Sequence, residues 1–219
     1  MPELVIFDFD GTLADTKHIA YHVYLALAEK HGISPMSAEA LDRLGGLSIR
    51  RRLKEHGIPM WKLPGLVRSS VPLYRREMAG ARLFEGIKPM LERLSGDDLV
   101  LAVVSSNNVE NIERILASNE VDCFAHLVGK ASLFGKHRKI RRLLKRLNVS
   151  PKDAIYVGDE LRDVEAAKKA RISSVAVTWG FDHTDLLEKA APDHLAHSPE
   201  ALVEVLCRWR TRNKPDNTA

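Results

Sequence analysis

The sequence contains few cysteines, few aromatic residues and no long apolar run. Its 219 residues include two cysteines, Cys123 and Cys207, and they form no Cys-x-x-Cys motif. We therefore expect reduced thiols in a cytoplasmic protein. No apolar run approaches the roughly 20 residues of a membrane-spanning helix, and the first residues carry no basic leader. Neither an integral membrane protein nor a secretory signal is expected.

The excess of positive charge is small. The chain has 33 lysines and arginines against 29 aspartates and glutamates, a net charge of +4. That excess is mild for a nucleic-acid binder and suits an anionic small substrate equally well. In the most basic stretch, 136–147, basic residues alternate with isoleucine and leucine, and none of Phe, Trp or Tyr is present for base stacking. This pattern favours a solvated helix face over a nucleic-acid-binding surface. We expect neither nucleic acid nor a membrane as partner.

Four short apolar runs have the length and composition of buried strands. They are continuous rather than alternating, as is typical of strands covered on both faces of a parallel sheet. The runs are 4–7, 99–104, 154–157 and 174–177. Helical patterns at 109–118, 136–147 and 162–170 lie between them, and a last helix opens at Ser198. The alternation predicts an α/β fold with a doubly wound, mostly parallel sheet.

One region interrupts this alternation. Between residues 16 and 84 no strand-like run occurs, and amphipathic helices are predicted at 17–31, 37–44, 48–56 and 60–79. Because the region follows the first strand directly, it reads as an insertion. We predict an α/β core formed by 1–15 and 85–219, with a small helical cap domain over 16–84.

Acidic and hydroxyl side chains follow three of the predicted strands. In an open α/β sheet, ligands bind outside the carboxyl ends of the strands, so these side chains should converge. Crowded carboxylates repel one another, and a hard divalent cation relieves that repulsion. Carboxylate oxygens suit Mg²⁺. The converging residues are Asp8, Asp10, Ser105, Asp159 and Asp163.

Asp8 and Asp10 are two residues apart, so their side chains share one face if the strand continues that far. Gly11 lets the chain turn sharply out of the sheet. One of the two carboxylates is suited to act as a nucleophile and the other as a general acid and base.

These segments resemble the four signatures of the haloacid dehalogenase superfamily. Residues 5–16, Val-Ile-Phe-Asp-Phe-Asp-Gly-Thr-Leu-Ala-Asp-Thr, resemble the first signature, and Ser105 and Lys136 resemble the second and third. Residues 158–163 resemble the fourth. The insertion is similar to the family's small helical cap. Within the superfamily, the chain looks most like the branch of phosphoglycolate phosphatase and β-phosphoglucomutase.

The resemblance implies a role for each matching residue. Asp8 would attack phosphorus and become an aspartyl phosphate, Asp10 would protonate the leaving oxygen, and Lys136 would offset negative charge. Mg²⁺ would be held by Asp8, the Asp10 backbone carbonyl, Asp159 and Asp163. Phosphoryl oxygens would be held by Ser105 and backbone N–H groups, with Gly11, Thr12 and Ser106 as further substrate-binding candidates.

Some assignments have rivals. Lys130 and Lys139 compete with Lys136, which follows a glycine just before a helix. Ser105 could instead cap the helix that follows its strand. In the insertion, Arg50 is a candidate for gripping a substrate carboxylate or a second phosphate, and the alternative is a solvated basic face.

We expect a Mg²⁺-dependent phosphatase that hydrolyses a small phosphorylated metabolite, and the resemblance favours a phosphoglycolate-like one. Two alternatives stay open. A sugar-phosphate mutase would return the phosphoryl group to a second hydroxyl. A phosphoryl-receiver or regulatory protein would keep the phosphoryl group without turnover. The sequence also leaves monomer and homodimer undecided.

Overall fold

The computed structural model describes residues 3–95, 99–132 and 134–213. Within this part of the chain, eight strands form: β1 (Leu4–Phe7), β2 (Ala14–Asp15), β3 (Arg82–Leu83), β4 (Val100–Val104), β5 (His126–Val128), β6 (Ala154–Gly158), β7 (Ser173–Val177) and β8 (His194–Ala196). The same part forms ten α-helices: α1 (Lys17–His31), α2 (Ala38–Arg43), α3 (Ile49–Glu55), α4 (Leu63–Glu77), α5 (Ile87–Ser95), α6 (Val109–Ser118), α7 (Lys136–Leu147), α8 (Leu161–Ala170), α9 (Thr184–Lys189) and α10 (Pro199–Asn213). None of these helices combines the length and the apolar character that a bilayer crossing demands.

Six of the strands form one sheet in the order β5-β4-β1-β6-β7-β8, and every neighbouring pair is parallel. The predicted α/β class with a doubly wound, mostly parallel sheet is confirmed. The four predicted strands form the centre of the sheet. The two edge strands, β5 and β8, were not predicted, because each has three residues and is only partly buried.

The central strand β1 is buried on both faces. Val5 and Phe7 pack into the apolar cluster that includes residues of α5, α6 and α10, whereas Leu4 and Ile6 pack into the cluster that includes residues of α7 and α8. Successive strand residues point to opposite faces, which explains the division. Each fully buried aliphatic or aromatic side chain contributes about 1.5–3 kcal/mol. The end of β1, where Asp8 follows, is therefore held firmly.

Helices α1 to α4 lie between β2 and β3, and we call them the inserted helices. The antiparallel pairing of β2 with β3 brings the two ends of this segment together, with Ala14 opposite Leu83. β3 was not predicted; it has only two residues, and one of them is exposed. α1 packs against α4. The boundaries 1–15, 16–84 and 85–219 stay a prediction.

Candidate active site

The centre of the site is a buried lysine between two buried carboxylates. Lys136 Nζ donates to Asp8 Oδ2 at 2.6 Å and to Asp163 Oδ1 at 2.5 Å. All three side chains are at most 2% exposed. Asp8 Oδ1 accepts from the backbone N–H of Phe9 at 2.8 Å. One residue therefore comes from the end of β1, one from the start of α7 and one from the first turn of α8.

Of the three candidate lysines, Lys136 is the one that contacts Asp8. Lys130 is exposed, and Lys139, which lies on α7, is half-buried. Lys136 is the first residue of α7, so its side chain starts at the end of the helix that faces the carboxyl edge of the sheet. Burial alone would lower the pKa of Lys136, but attraction to Asp163 and Asp8 outweighs it and raises the pKa. This lysine stays charged.

Asp10 is held by Asn107, which was not among the predicted site residues. Asn107 Nδ2 donates to both Asp10 oxygens, at 3.1 and 3.0 Å. Asn107 Oδ1 in turn accepts from the backbone N–H of Asn108 at 2.7 Å and from Asn111 Nδ2 at 3.1 Å. These two donors orient the amide so that its N–H₂ faces Asp10. The polar sequence Ser-Ser-Asn-Asn after β4 was the available signal.

Asp159 is held by two donors, Thr12 and the backbone of Phe181. Its Oδ1 accepts from Thr12 Oγ1 at 2.6 Å, and its Oδ2 accepts from the backbone N–H of Phe181 at 2.8 Å. Gly11 has a φ of 77°, and a Cβ there would come within 2.3 Å of the Asp159 carboxylate. Glycine at position 11 therefore satisfies both the turn and the close approach. In the structure Thr12 positions Asp159.

Glu160 is a further acidic member of the site. Its side chain accepts from Arg162 Nε at 2.7 Å and also contacts Arg162 Nη2. Among the described residues, the carboxylate oxygens of Asp8, Glu160 and Asp163 can all lie within 4.8 Å of one another, a spacing that suits a metal ion. Sequence analysis missed Glu160, although it directly follows Asp159. The spacing of Glu160 and Asp163, three residues apart at a helix start, was the readable signal, and in the structure the two form a capping box.

Burial and neighbouring negative charges raise the pKa values of three carboxyl groups in the site. Burial and the nearby Asp8 charge raise the pKa of Asp10 to about 7, against the lowering effect of Asn107. Burial raises the pKa of Asp163 to about 7 although Lys136 opposes it. Burial and the charge of Glu160 raise the pKa of Asp159 well above its usual value. The five carboxyl groups outnumber the two cations among them, Lys136 and Arg162, so the site favours added positive charge. We call the five acidic residues the acid cluster: Asp8, Asp10, Asp159, Glu160 and Asp163.

The remaining predicted site residues, Ser105, Ser106 and Arg50, differ in burial. Ser105 is buried at the end of β4, and its Oγ accepts from the backbone N–H of Asn107 at 3.1 Å. Ser106 beside it is half-buried. Arg50 is exposed on α3, whereas Arg52 on the same helix contacts the core through Asp182. The substrate-binding roles of Gly11, Thr12, Ser106 and Arg50 stay predictions.

The chain is similar in sequence to known proteins over most of its length. The sequence profile of the family described as "Haloacid dehalogenase-like hydrolase" matches residues 5–177. The chain is 31% identical over 205 residues to a phosphoglycolate phosphatase of Synechococcus elongatus, covering 93% of this chain and 97% of that protein. It is 28% identical over 217 residues to a phosphoglycolate phosphatase of Agrobacterium fabrum, covering 93% and 91%.

A solved structure shares the fold. A haloacid dehalogenase-like hydrolase from Streptococcus pneumoniae superposes with a TM-score of 0.78 at 23% identity, covering 95% of this chain and 98% of that one. The predicted membership of the haloacid dehalogenase superfamily is thus confirmed. The chain belongs to the haloacid dehalogenase-like hydrolase family and is an enzyme of the phosphatase type.

Proposed function

We propose that the protein is a Mg²⁺-dependent phosphomonoester hydrolase that uses Asp8 as the nucleophile. The observation that carries the proposal is the contact of Lys136 with both Asp8 and Asp163, beside an Asp10 that Asn107 holds. A nucleophile, a cation and a second carboxyl group of raised pKa stand together at the carboxyl edge of the sheet, where α/β enzymes bind ligands.

The donor set fits a hard divalent cation. Asp8, Glu160 and Asp163 offer oxygen ligands only, and their negative charge exceeds what Lys136 neutralises. Burial raises the pKa of Asp163 to about 7, and positive charge beside the cluster would favour its ionised form. Asp8 and Asp163 would hold the ion, with Glu160 beside them and with Asp159 and the Asp10 carbonyl as the family resemblance implies. A bound ion would supply positive charge opposite the phosphoryl oxygens.

In the first step, an Asp8 oxygen attacks phosphorus, the new O–P bond forms and the bond to the leaving oxygen breaks. Asp10 delivers its proton to that oxygen as the bond breaks. Its pKa of about 7 leaves a large share of the carboxyl group protonated at neutral pH. Lys136 stays beside Asp8 and offsets the charge that spreads over the transferring oxygens.

In the second step, water attacks the phosphorus of the aspartyl phosphate, and Asp10, now ionised, takes a proton from that water. Phosphate leaves, and Asp8 and Asp10 return to their starting forms. Ser105 Oγ already accepts a hydrogen bond from Asn107, which leaves its own O–H to donate to a phosphoryl oxygen. The buried position of Asp8 and Lys136 keeps bulk water away from the reacting bond.

The substrate class is a small phosphorylated metabolite. The 31% identity to a phosphoglycolate phosphatase across 93% of this chain favours phosphoglycolate or a similar phosphorylated acid. The described residues of the acid cluster account for the phosphoryl group, not for the rest of the molecule. The choice among esters therefore depends on residues around the cluster.

The test is phosphate release from a panel of phosphomonoesters that includes phosphoglycolate, sugar phosphates and nucleotides, each with Mg²⁺ and with a chelator. The matched control is Asp8→Asn, which keeps the shape of the side chain and removes the nucleophile. We expect metal-dependent turnover that falls by about 10⁴-fold or more in Asp8→Asn. Circular dichroism would show that the variant is folded.

Two outcomes would overturn the proposal. An isomerised sugar phosphate without net phosphate release would identify a mutase. Stable phosphorylation of Asp8 from a small phosphodonor, with negligible turnover on every ester, would identify a receiver or regulatory protein.

A further inference from the structure

One of the contacts between the inserted helices and the core is made by the charged side chain of Arg52. Arg52 on α3 donates through Nη2 to Asp182 Oδ1, and its Nε donates to the carbonyl of Leu47 at 2.7 Å. Nη2 also donates to the carbonyl of Gly45 at 3.3 Å. The Asp182 side chain is 4% exposed and that of Arg52 is 24% exposed. One guanidinium thus fixes the turn at 44–47 and joins it to the core.

The core side of this contact is tied to the acid cluster. Asp182 Oδ2 accepts from the backbone N–H of Leu161 at 2.7 Å, and Leu161 is the first residue of α8. Phe181, the residue before Asp182, donates its backbone N–H to Asp159 at 2.8 Å. The segment 180–183 therefore holds Asp159 and the start of the helix that carries Asp163.

The turn at 44–47 and segment 180–183 pack closely against each other. The backbone N–H of His183 donates to the carbonyl of Gly45 at 3.1 Å. A Cβ on Gly45 would lie 2.8 Å from the His183 ring and 2.9 Å from the carbonyl oxygen of Phe181. The backbones of the turn at 44–47 and of segment 180–183 are thus in direct contact, and Arg52 bonds to both. We call this contact the seat of the inserted helices.

From this geometry we infer that Arg52 and Asp182 form a latch that seats the inserted helices on the core and, through segment 180–183, positions the acid cluster for the reaction. Both are positioning residues, because neither contacts the reacting atoms. The inference rests on the proposed function where it concerns catalysis. It adds a coupling between the seat of the inserted helices and the geometry of Asp159 and α8.

The two oxygens of Asp182 bind two different parts of the chain. One oxygen faces Arg52 of the inserted segment and the other faces the first N–H of α8. Withdrawal of Arg52 would leave a buried carboxylate with a lone remaining donor, an arrangement that favours movement of the loop toward water. The loop carries Phe181 N–H with it, and Asp159 loses a donor that fixes its rotamer.

The test uses the full-length protein with Arg52→Gln, Arg52→Lys and Asp182→Asn, and Arg51→Gln serves as a matched control on an exposed position of the same helix. Backbone hydrogen exchange followed by mass spectrometry reports on the amides of Leu161, Phe181 and His183. We expect exchange at these amides to rise about tenfold in Arg52→Gln and Asp182→Asn, to rise less in Arg52→Lys and to stay unchanged in Arg51→Gln.

Kinetics give the second measurement. On the best ester of the panel, kcat/KM should fall about tenfold in Arg52→Gln, with KM and kcat both affected, and Arg52→Lys should recover part of the loss. Unchanged exchange at the three amides would overturn the latch. So would faster exchange with kcat/KM unchanged, because the contact would then be structural only. If the unmutated protein released no phosphate, the proposed function would fail while the exchange experiment still decided whether the latch exists.

Discussion

The acid cluster and the inserted helices are built in opposite ways. β1, which Asp8 directly follows, is buried along its whole length, and Lys136 donates to both Asp8 and Asp163 of the cluster. Helices α2, α3 and α4 have no buried residue, and Trp61 beside α4 is 75% exposed. Burial on both faces of a sheet therefore fixes the chemistry. Among the inserted helices, α1 has buried apolar side chains, whereas α3 and the turn at 44–47 bond to the core through polar contacts such as that of Arg52 with Asp182. The consequences of substitution should differ accordingly.

The largest effect on stability is expected at Lys136. Lys136→Met keeps the length of the side chain but leaves Asp8 and Asp163 without their shared cation. Loss of one partner of a buried pair costs about 3–5 kcal/mol of the free energy of unfolding. Urea denaturation in a chelator measures it. Lys145→Met, on an exposed position of the same helix, should cost less than about 0.5 kcal/mol. Equal losses in the two variants would contradict the buried pair.

Asn107 tests the other half of the cluster. Asn107→Ala removes the amide that donates to both Asp10 oxygens, so the acid loses its orientation. A hydrogen bond to a charged group is worth about 1.5–3 kcal/mol, which corresponds to a fall in kcat of roughly 10- to 100-fold. Steady-state kinetics on the best ester measure kcat. Asn111→Ala, which removes only a donor to Asn107, should show a smaller fall. A larger effect at Asn111 would show that the network acts by packing.

Two adjacent glycines test the seat of the inserted helices. Gly45→Ala places a Cβ 2.8 Å from the His183 ring and 2.9 Å from a backbone carbonyl, whereas Gly46→Ala meets its nearest atom at 3.5 Å. We expect Gly45→Ala to lower the free energy of unfolding by about 1–3 kcal/mol, as overpacking does, and to raise KM. Gly46→Ala should change neither. Thermal unfolding and steady-state kinetics decide, and similar behaviour of the two variants would show that the seat yields without cost.

The same contrast explains which elements were predictable. The central strands were read correctly because two-sided burial leaves continuous apolar runs, as at 4–7 and 154–157. α7 was predicted with its observed bounds because apolar positions at helical spacing face the core. β5 and β8 were missed because a partly buried edge strand of three residues needs no such run. α5 and α9 were also missed; α9 has six residues and one buried side chain, too few for a periodic signal.

Within the site, the residues that follow strands were predictable because the topology brings strand ends together. The convergence of Asp8 with Lys136 and Asp163 has this origin. The latch was not predictable in the same way. Arg52 follows two other arginines on one short helix, and nothing local distinguishes the one that meets Asp182. Which arginine meets Asp182 depends on how the turn at 44–47 packs against segment 180–183, and the local sequence does not encode this tertiary contact.

The smallest effect is expected where an ion pair of similar length lies in water. Lys88 Nζ donates to Glu120 at 2.7 Å, close to the 2.6 Å between Lys136 and Asp8. Water and salt screen the first pair, and ordering two long side chains costs entropy that offsets the attraction. Lys88→Met should therefore leave Tm unchanged within about 1 °C, measured by differential scanning calorimetry. A loss of stability as large as that of Lys136→Met would mean that distance, rather than burial, sets the strength of ion pairs in this fold.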